Sequence, residues 1–236
     1  MSQYTLHKAE TRGHDHLDWL DSRKTFSFAD YYNPKRMGFG ALRVLNDDTL
    51  AGGRGFGTHP HDNMEIISIP LEGALRHEDS AGNKGVVAAG QIQVMHAGSG
   101  LFHSEYNNSE DQTAKFLQIW VFPEELNTAP RYIQANLPVT SQENTLYEFI
   151  APGNLAIRKD TWFSKGTFTK DAQLEYQVHR EGNGVYAFVI NGNFGIDGQM
   201  LSTRDGLGIQ DTMQITIRSL EQGATLLLME VPMNIQ

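Results

Sequence analysis

Short hydrophobic runs, broken again and again by Gly, Asn and Asp, set the pattern of this chain. The runs Ala41–Leu45, Met64–Leu71, Gln91–Met95, Phe116–Phe122, Val185–Ile190 and Thr225–Val231 are rich in β-branched and aromatic residues and read as strands. Between the runs, Asn46-Asp47-Asp48, Leu71-Glu72-Gly73, Ser80-Ala81-Gly82-Asn83, Asn191-Gly192-Asn193 and Asp197-Gly198 carry turn chemistry. No long stretch repeats its apolar positions at the helical period. The pattern therefore predicts an all-β protein of sandwich or barrel type.

The strand pattern breaks over Pro123–Pro138, where Pro, Asn and charged residues cluster. It resumes at Leu155–Arg158, Val185–Ile196, Gly206–Ile217 and Leu226–Val231. The segment Phe188–Asp197 reads as a strand–turn–strand repeat of Ile66–His77. Two related barrels are expected, one over residues 1–130 and one over residues 131–236.

Composition narrows the chemistry. With 236 residues, 39% hydrophobic and 20% charged, the chain can bury a sizeable core. Its net charge of -9 and scattered Lys and Arg exclude a nucleic-acid binder, which needs clustered cations. There is no cysteine, so disulfides, iron–sulfur clusters and thiol nucleophiles are excluded. Any metal must be held by imidazole and carboxylate. The first residues are polar, and runs such as Ala224–Met229 are too short to span a bilayer, so a cytoplasmic protein without a membrane partner is expected.

Two segments carry the candidate chemistry. His59-Pro-His61 places two imidazoles at i and i+2, which is one face of a strand. His103-Ser-Glu105 does the same with an imidazole and a carboxylate. If both strands line one barrel interior, three nitrogens and one oxygen converge on an ion. Such a set suits Fe(II), Ni(II), Mn(II), Cu(II) or Zn(II), and on a six-coordinate ion it leaves positions for water, O2 or substrate.

These residues resemble the cupin motifs. Gly53-x5-His59-x-His61-x3-Glu65-x7-Gly73 is close to the first motif. Gly100-x2-His103-x3-Asn107 matches the end of the second, with Gly where many cupins have Pro. More specifically, Arg12-Gly-His14, Trp19-Leu-Asp-Ser, Thr25-Phe-Ser-Phe-Ala, Tyr31-Tyr-Asn-Pro34, Met37-Gly-Phe, Leu42-Arg-Val-Leu-Asn-Asp-Asp, Gly57-Thr-His-Pro-His61 and His103-Ser-Glu-Tyr-Asn107 are similar to pirin signatures. The match is dense over residues 10–123 and thinner beyond, and is strongest to bacterial pirin-like quercetinases.

The resemblance implies a bicupin whose N-terminal barrel alone binds one divalent metal, usually iron. The matching ligand positions are His59, His61, His103 and Glu105. Some pirins act as quercetin 2,3-dioxygenases, opening the flavonol ring with O2 and releasing carbon monoxide. Others are nuclear co-regulators, so a non-catalytic, protein-binding role is the alternative. Glu65 shares strand parity with His61 and is a rival to Glu105, either as proton acceptor or as a partner fixing an imidazole.

Other candidates have quieter readings. His14-Asp15-His16 with Asp18 could nominally form a triad, but reads as a surface loop. His77-Glu78-Asp79 sits at a turn signal and reads as solvated, and His96 as a core or hydrogen-bonded histidine. The aromatics Trp19, Phe26, Phe28, Tyr31, Tyr32 and Phe39 read as packing, and Tyr106 as pointing away from the metal. The second half has a lone histidine, His179, and so lacks the ligand set. The residues give an open, oxygen-compatible metal site, and the resemblance implies a metal-dependent dioxygenase for flavonol-like substrates; the metal is expected to leave below about pH 6 as imidazoles protonate.

Overall fold

The computed structural model describes residues 2–138, 142–158 and 160–235. Among the described residues the regular secondary structure is all strand, apart from one 3-10 turn at Ala9–Thr11. The first twelve are β1 (Gln3–His7), β2 (Gly13–His16), β3 (Leu20–Lys24), β4 (Leu42–Leu50), β5 (Gly55–His61), β6 (Glu65–Glu72), β7 (Ala74–Asp79), β8 (Lys84–Ala88), β9 (Gln91–His96), β10 (Leu101–Asn107), β11 (Ala114–Val121) and β12 (Arg131–Asn136). The remainder are β13 (Tyr147–Ile150), β14 (Trp162–Phe168), β15 (Gln173–Gln177), β16 (Asn183–Asn191), β17 (Phe194–Ile196), β18 (Gln199–Leu201), β19 (Gly206–Gln210), β20 (Gln214–Ser219) and β21 (Ala224–Pro232). Among the described residues no helix is long and apolar enough to cross a membrane.

Two compact units result, each built from a larger and a smaller open sheet in jelly-roll style. In the unit formed by residues 13–38 and 42–137, the larger sheet runs β12-β9-β6-β11-β4-β3-β2 and the smaller runs β5-β10-β7-β8. In the unit formed by residues 1–12, 39–41 and 138–236, the orders are β1-β19-β16-β21-β14-β13 and β15-β20-β17-β18. The run β9-β6-β11-β4-β3 of the first is matched by β19-β16-β21-β14-β13 of the second, and the smaller sheets match in the same way. The internal repeat thus extends over every strand of the first unit except β2, which has no counterpart in the six-stranded sheet.

Several boundaries differ from the sequence-based expectation. The expected division at residue 130 falls early, because β12 pairs with β9 inside the first unit. Conversely β1 pairs with β19 and belongs to the second unit, where it fills the edge position that β12 fills in the first. Leu155–Arg158 is not a strand. Asn46-Asp47-Asp48 is not a turn: it lies inside β4, with Asn46 and Asp48 buried. The repeat of Ile66–His77 is Val185–Ile196, fixed by the turn glycines Gly73 and Gly192 at φ 73° and 85°, which favour glycine.

The two interiors are filled differently. Cross-strand pairs align Ser68, Gln93 and Gln118 of the first unit with Ala187, Leu207 and Leu228 of the second. The same registers align His77 and Glu105 with Ile196 and Ile217. All five counterparts sit in one buried apolar cluster with Phe168, Val189, Phe194 and Ile215. The second unit is therefore a packed hydrocarbon core, whereas the first encloses polar groups.

Deleting Ser2–Lys8 removes the β1–β19 ladder and the buried contact from His7 Nδ1 to the Tyr186 hydroxyl at 2.8 Å. Thermal unfolding of the truncated chain is expected at least about 5 °C below that of the full chain. An unchanged melting temperature would contradict the assignment of β1 to the C-terminal sheet.

Candidate metal centre

The strand β5 is an edge, so Pro60 can sit between His59 and His61 without removing a ladder hydrogen bond that the sheet needs. Its neighbour β10 brings His103 opposite His59. A register shift between His103 and Glu105 interrupts the β5–β10 pairing, a device that re-aims side chains. Gly55 is required beside it, since a Cβ there would lie 2.2 Å from the Glu105 carbonyl oxygen.

The side chains converge. Nitrogen atoms of His59, His61 and His103 lie within 4.8 Å of one another, and His59 Nε2 and His103 Nε2 are 2.9 Å apart. His103 also belongs to a second cluster, with His77 and Glu105, again within 4.8 Å. His59 Nδ1 donates to the Gly57 carbonyl at 2.7 Å, which leaves Nε2 unprotonated and facing His103 Nε2. His61 Nε2 is buried and has no hydrogen-bond partner. An orphaned imidazole nitrogen beside two others fits a cation, as does the absence of thiolates.

Electrostatics point the same way. Burial, together with the neighbouring imidazoles His103 and His59, lowers the pKa of His61 to about 3 against the pull of Glu105. Burial and the neighbours His59 and His77 likewise lower His103 to about 3. Both are neutral at physiological pH, the protonation state a metal requires. Acid release of a metal is accordingly expected at lower pH than ordinary imidazoles would give.

Glu105 is 1% exposed and fully engaged. Its Oε1 lies 2.9 Å from the Ser68 hydroxyl and 3.2 Å from Gln93 Nε2, while Oε2 accepts from Gln118 Nε2 at 2.8 Å. Three strands of the larger sheet thus aim one carboxylate from the smaller sheet. These contacts fix the orientation of the carboxylate within the interior.

Behind His103 the structure departs from expectation. His77 and Asp79 are not solvated but buried, because β7 alternates and points Leu75, His77 and Asp79 inward. His77 Nδ1 is 3.4 Å from His103 Nδ1, and its Nε2 is 3.3 Å from Asp79 Oδ2. Tyr132 stacks on His77 at 4.7 Å between ring centroids. The alternation Leu75-x-His77-x-Asp79 was the overlooked signal.

Glu65 is also placed differently. It is buried against the imidazole of His96, its cross-strand neighbour, and Arg131 Nη2 donates to His96 Nε2 at 3.1 Å. It supports none of the three clustered imidazoles. Its parity with His61 does not survive the turn at Asn63 (φ 46°), after which β6 enters the other sheet. His96 is buried and hydrogen-bonded, as read. His14 and His16 lie on β2, exposed, and both contact Asp21 at 2.9 Å rather than Asp18.

A cavity of about 420 Å³ opens onto His59, His61 and Glu105. Trp19, Phe28, Phe56 and Trp120 form aromatic walls, and Asn46, Asp48 and Gln118 supply polar atoms. Trp19 and Phe28 thus serve the cavity rather than packing alone, while Phe26 is core and Tyr32 is 72% exposed. The Trp120 indole meets the His61 ring edge-on at 4.9 Å.

Two cupin-type domains in one chain, the first of which carries the imidazole cluster, define a bicupin. The chain belongs to the pirin family: residues 5–121 match the pirin family and residues 150–231 match the quercetinase C-terminal cupin domain. It is 44% identical over 228 residues to a quercetin 2,3-dioxygenase of Escherichia coli K12, covering 96% of this chain and 98% of that one. A pirin-like protein of Caulobacter vibrioides is 39% identical over 222 residues, covering 92% and 94%. Among solved structures, the bacterial pirin YhhW of E. coli in complex with nickel(II) superposes with a TM-score of 0.91 at 42% identity, covering 98% and 99% of the two chains.

Acidification provides a test of the buried imidazoles. His61 and His103 take up protons near pH 6.5 when unfolded but only near pH 3 when folded, so the unfolded chain binds more protons in between. Their contribution to stability is present above pH 6.5 and is lost as pH falls toward 3. The denaturant midpoint of metal-free His61→Gln is therefore expected to fall less than that of wild type between pH 7.5 and pH 5. Equal falls would show that His61 is not held neutral by the fold.

Proposed function

We propose that this pirin is a metal-dependent dioxygenase that opens the ring of quercetin-like flavonols with O2 and releases carbon monoxide. The observation that carries the reading is the convergence of His59, His61 and His103 on an aromatic-walled cavity that also holds Glu105. The three imidazoles would hold one divalent ion, with Glu105 as the fourth ligand. Iron(II) follows from the family resemblance, and nickel(II) is the ion in the YhhW complex. When bound, the ion supplies a Lewis acid that stabilises the oxyanion of an enolic hydroxyl.

The residues of the chain do the rest. Trp19, Phe28, Phe56 and Trp120 clamp a flat aromatic ligand and exclude water from it. A cavity of about 420 Å³ lies within the range of small-molecule sites. Glu105 accepts the proton of the substrate hydroxyl at a carboxylate oxygen, held in place by Ser68, Gln93 and Gln118. Glu65, turned to His96, is not assigned this step. Mostly aromatic walls with few polar groups favour a polyphenol over a small polar metabolite.

The test is metal analysis of purified protein followed by flavonol absorbance and CO release for wild type, His59→Ala and Glu105→Ala. His59→Ala is expected to lose most bound metal, and both variants to lose at least about 100-fold in turnover. Turnover persisting in metal-free variants would overturn the dioxygenase reading. Metal without turnover of any flavonol would favour a non-catalytic regulatory pirin.

A further inference from the structure

The cavity contains polar atoms that the proposed chemistry does not use. Glu105 is taken up by the proposed chemistry, and Gln118 hydrogen-bonds to it through Nε2 at 2.8 Å. On the adjacent strand β4 the situation is reversed. Asn46 and Asp48, at i and i+2, point into the same cavity and are 3% and 4% exposed. The Oδ1 atom of each is buried without a hydrogen-bond partner. Trp120 Nε1, also in the cavity wall, is buried and unpartnered as well.

Two free acceptors and one free donor around a single cavity are costly to keep. An unsatisfied buried polar group costs about 1–3 kcal/mol, and such groups call for a specific explanation. Asp48 has Ser22 as its cross-strand neighbour and hydrogen-bonds to that side chain. Burial outweighs that bond and raises the carboxyl pKa to about 7, with Asp47 and Glu105 adding to the rise and Lys24 opposing it. A site with this character repels anions and receives hydroxyl donors.

Resting on the reading of the cavity as a polyphenol site, we propose that Asn46 and Asp48 form a specificity subsite. Their side chains accept hydrogen bonds from ring hydroxyls of a neutral polyhydroxylated aromatic, while Trp120 Nε1 donates to one of its oxygens. The subsite selects hydroxylated ligands over unsubstituted or carboxylated analogues of the same shape. Selection of this kind is strong because the wrong ligand leaves buried acceptors unpaired.

The experiment is equilibrium binding to nickel-loaded full-length protein without O2, read by quenching of tryptophan fluorescence. The probes are quercetin and 3-hydroxyflavone, which share the chelating 3-hydroxyl but differ in ring hydroxyls. Wild type is expected to bind quercetin at least about 10-fold more tightly. Asp48→Leu and Asn46→Leu should each weaken quercetin about 10-fold while changing 3-hydroxyflavone less than about 3-fold.

The near-isosteric Asp48→Asn should narrow the preference with a melting temperature no lower than wild type, since it removes a buried carboxylate. Equal weakening of both probes, or a lowered melting temperature with the preference unchanged, would make Asp48 merely structural and overturn the proposal. Because no turnover is involved, the outcome is independent of the dioxygenase assay. Discrimination without catalysis would sink only the proposed activity, and catalysis without discrimination only the subsite.

Discussion

A single carboxylate kept dry governs this structure. Glu105 is buried at the centre of the N-terminal unit, and an unpaired charge there would be prohibitively costly. The fold meets that cost by turning Ser68, Gln93 and Gln118, from three adjacent strands of the facing sheet, onto its two oxygens. Once those positions are polar they cannot serve as hydrocarbon core. The interior must then be closed by other means, with aromatic walls and a cluster of imidazoles.

The C-terminal unit shows what the same strand order does without that constraint. Ala187, Leu207 and Leu228 replace the carboxylate's three partners, and Ile217 replaces the carboxylate itself. Its interior is continuous hydrocarbon, and among the described residues no imidazole cluster is found there. Its one buried glutamate, Glu230, is instead consumed by Tyr176, His179 and Asn183 at 2.8–2.9 Å. The scaffold supplies the geometry in both units. The choice of inward-facing side chains separates a hydrocarbon core from one that gathers imidazoles and a carboxylate.

Much of this was legible in the sequence where physics is local. The i, i+2 rule placed His59 with His61 and His103 with Glu105, because each pair lies within one strand. It failed for Glu65, whose strand belongs to the other sheet, so parity with His61 meant nothing across the intervening turn. Asn46-Asp47-Asp48 looked like a turn on residue preference alone, yet its place in β4 is decided by pairing with β3 and β11 on either side. His77 and Asp79 were misread for the same reason. Tertiary pairing, not composition, determines which polar residues of a β protein are buried.

That last point explains why the informative residues are the ones propensity handles worst. A polar side chain at an inward position of a central strand opposes folding, so it persists where its bonding needs are met or are left for something else to meet. The first case describes Gln93 and Gln118, whose amides are turned onto Glu105 and fix its orientation. The second describes His61 Nε2, Asp48 Oδ1, Asn46 Oδ1 and Trp120 Nε1, which have no hydrogen-bond partner. Three of these four belong to two neighbouring strands, β4 and β11, and the fourth ends β5. These four atoms belong to residues that line one cavity, which is why the proposed ligand is one that can meet the imidazoles at one end and β4 at the other.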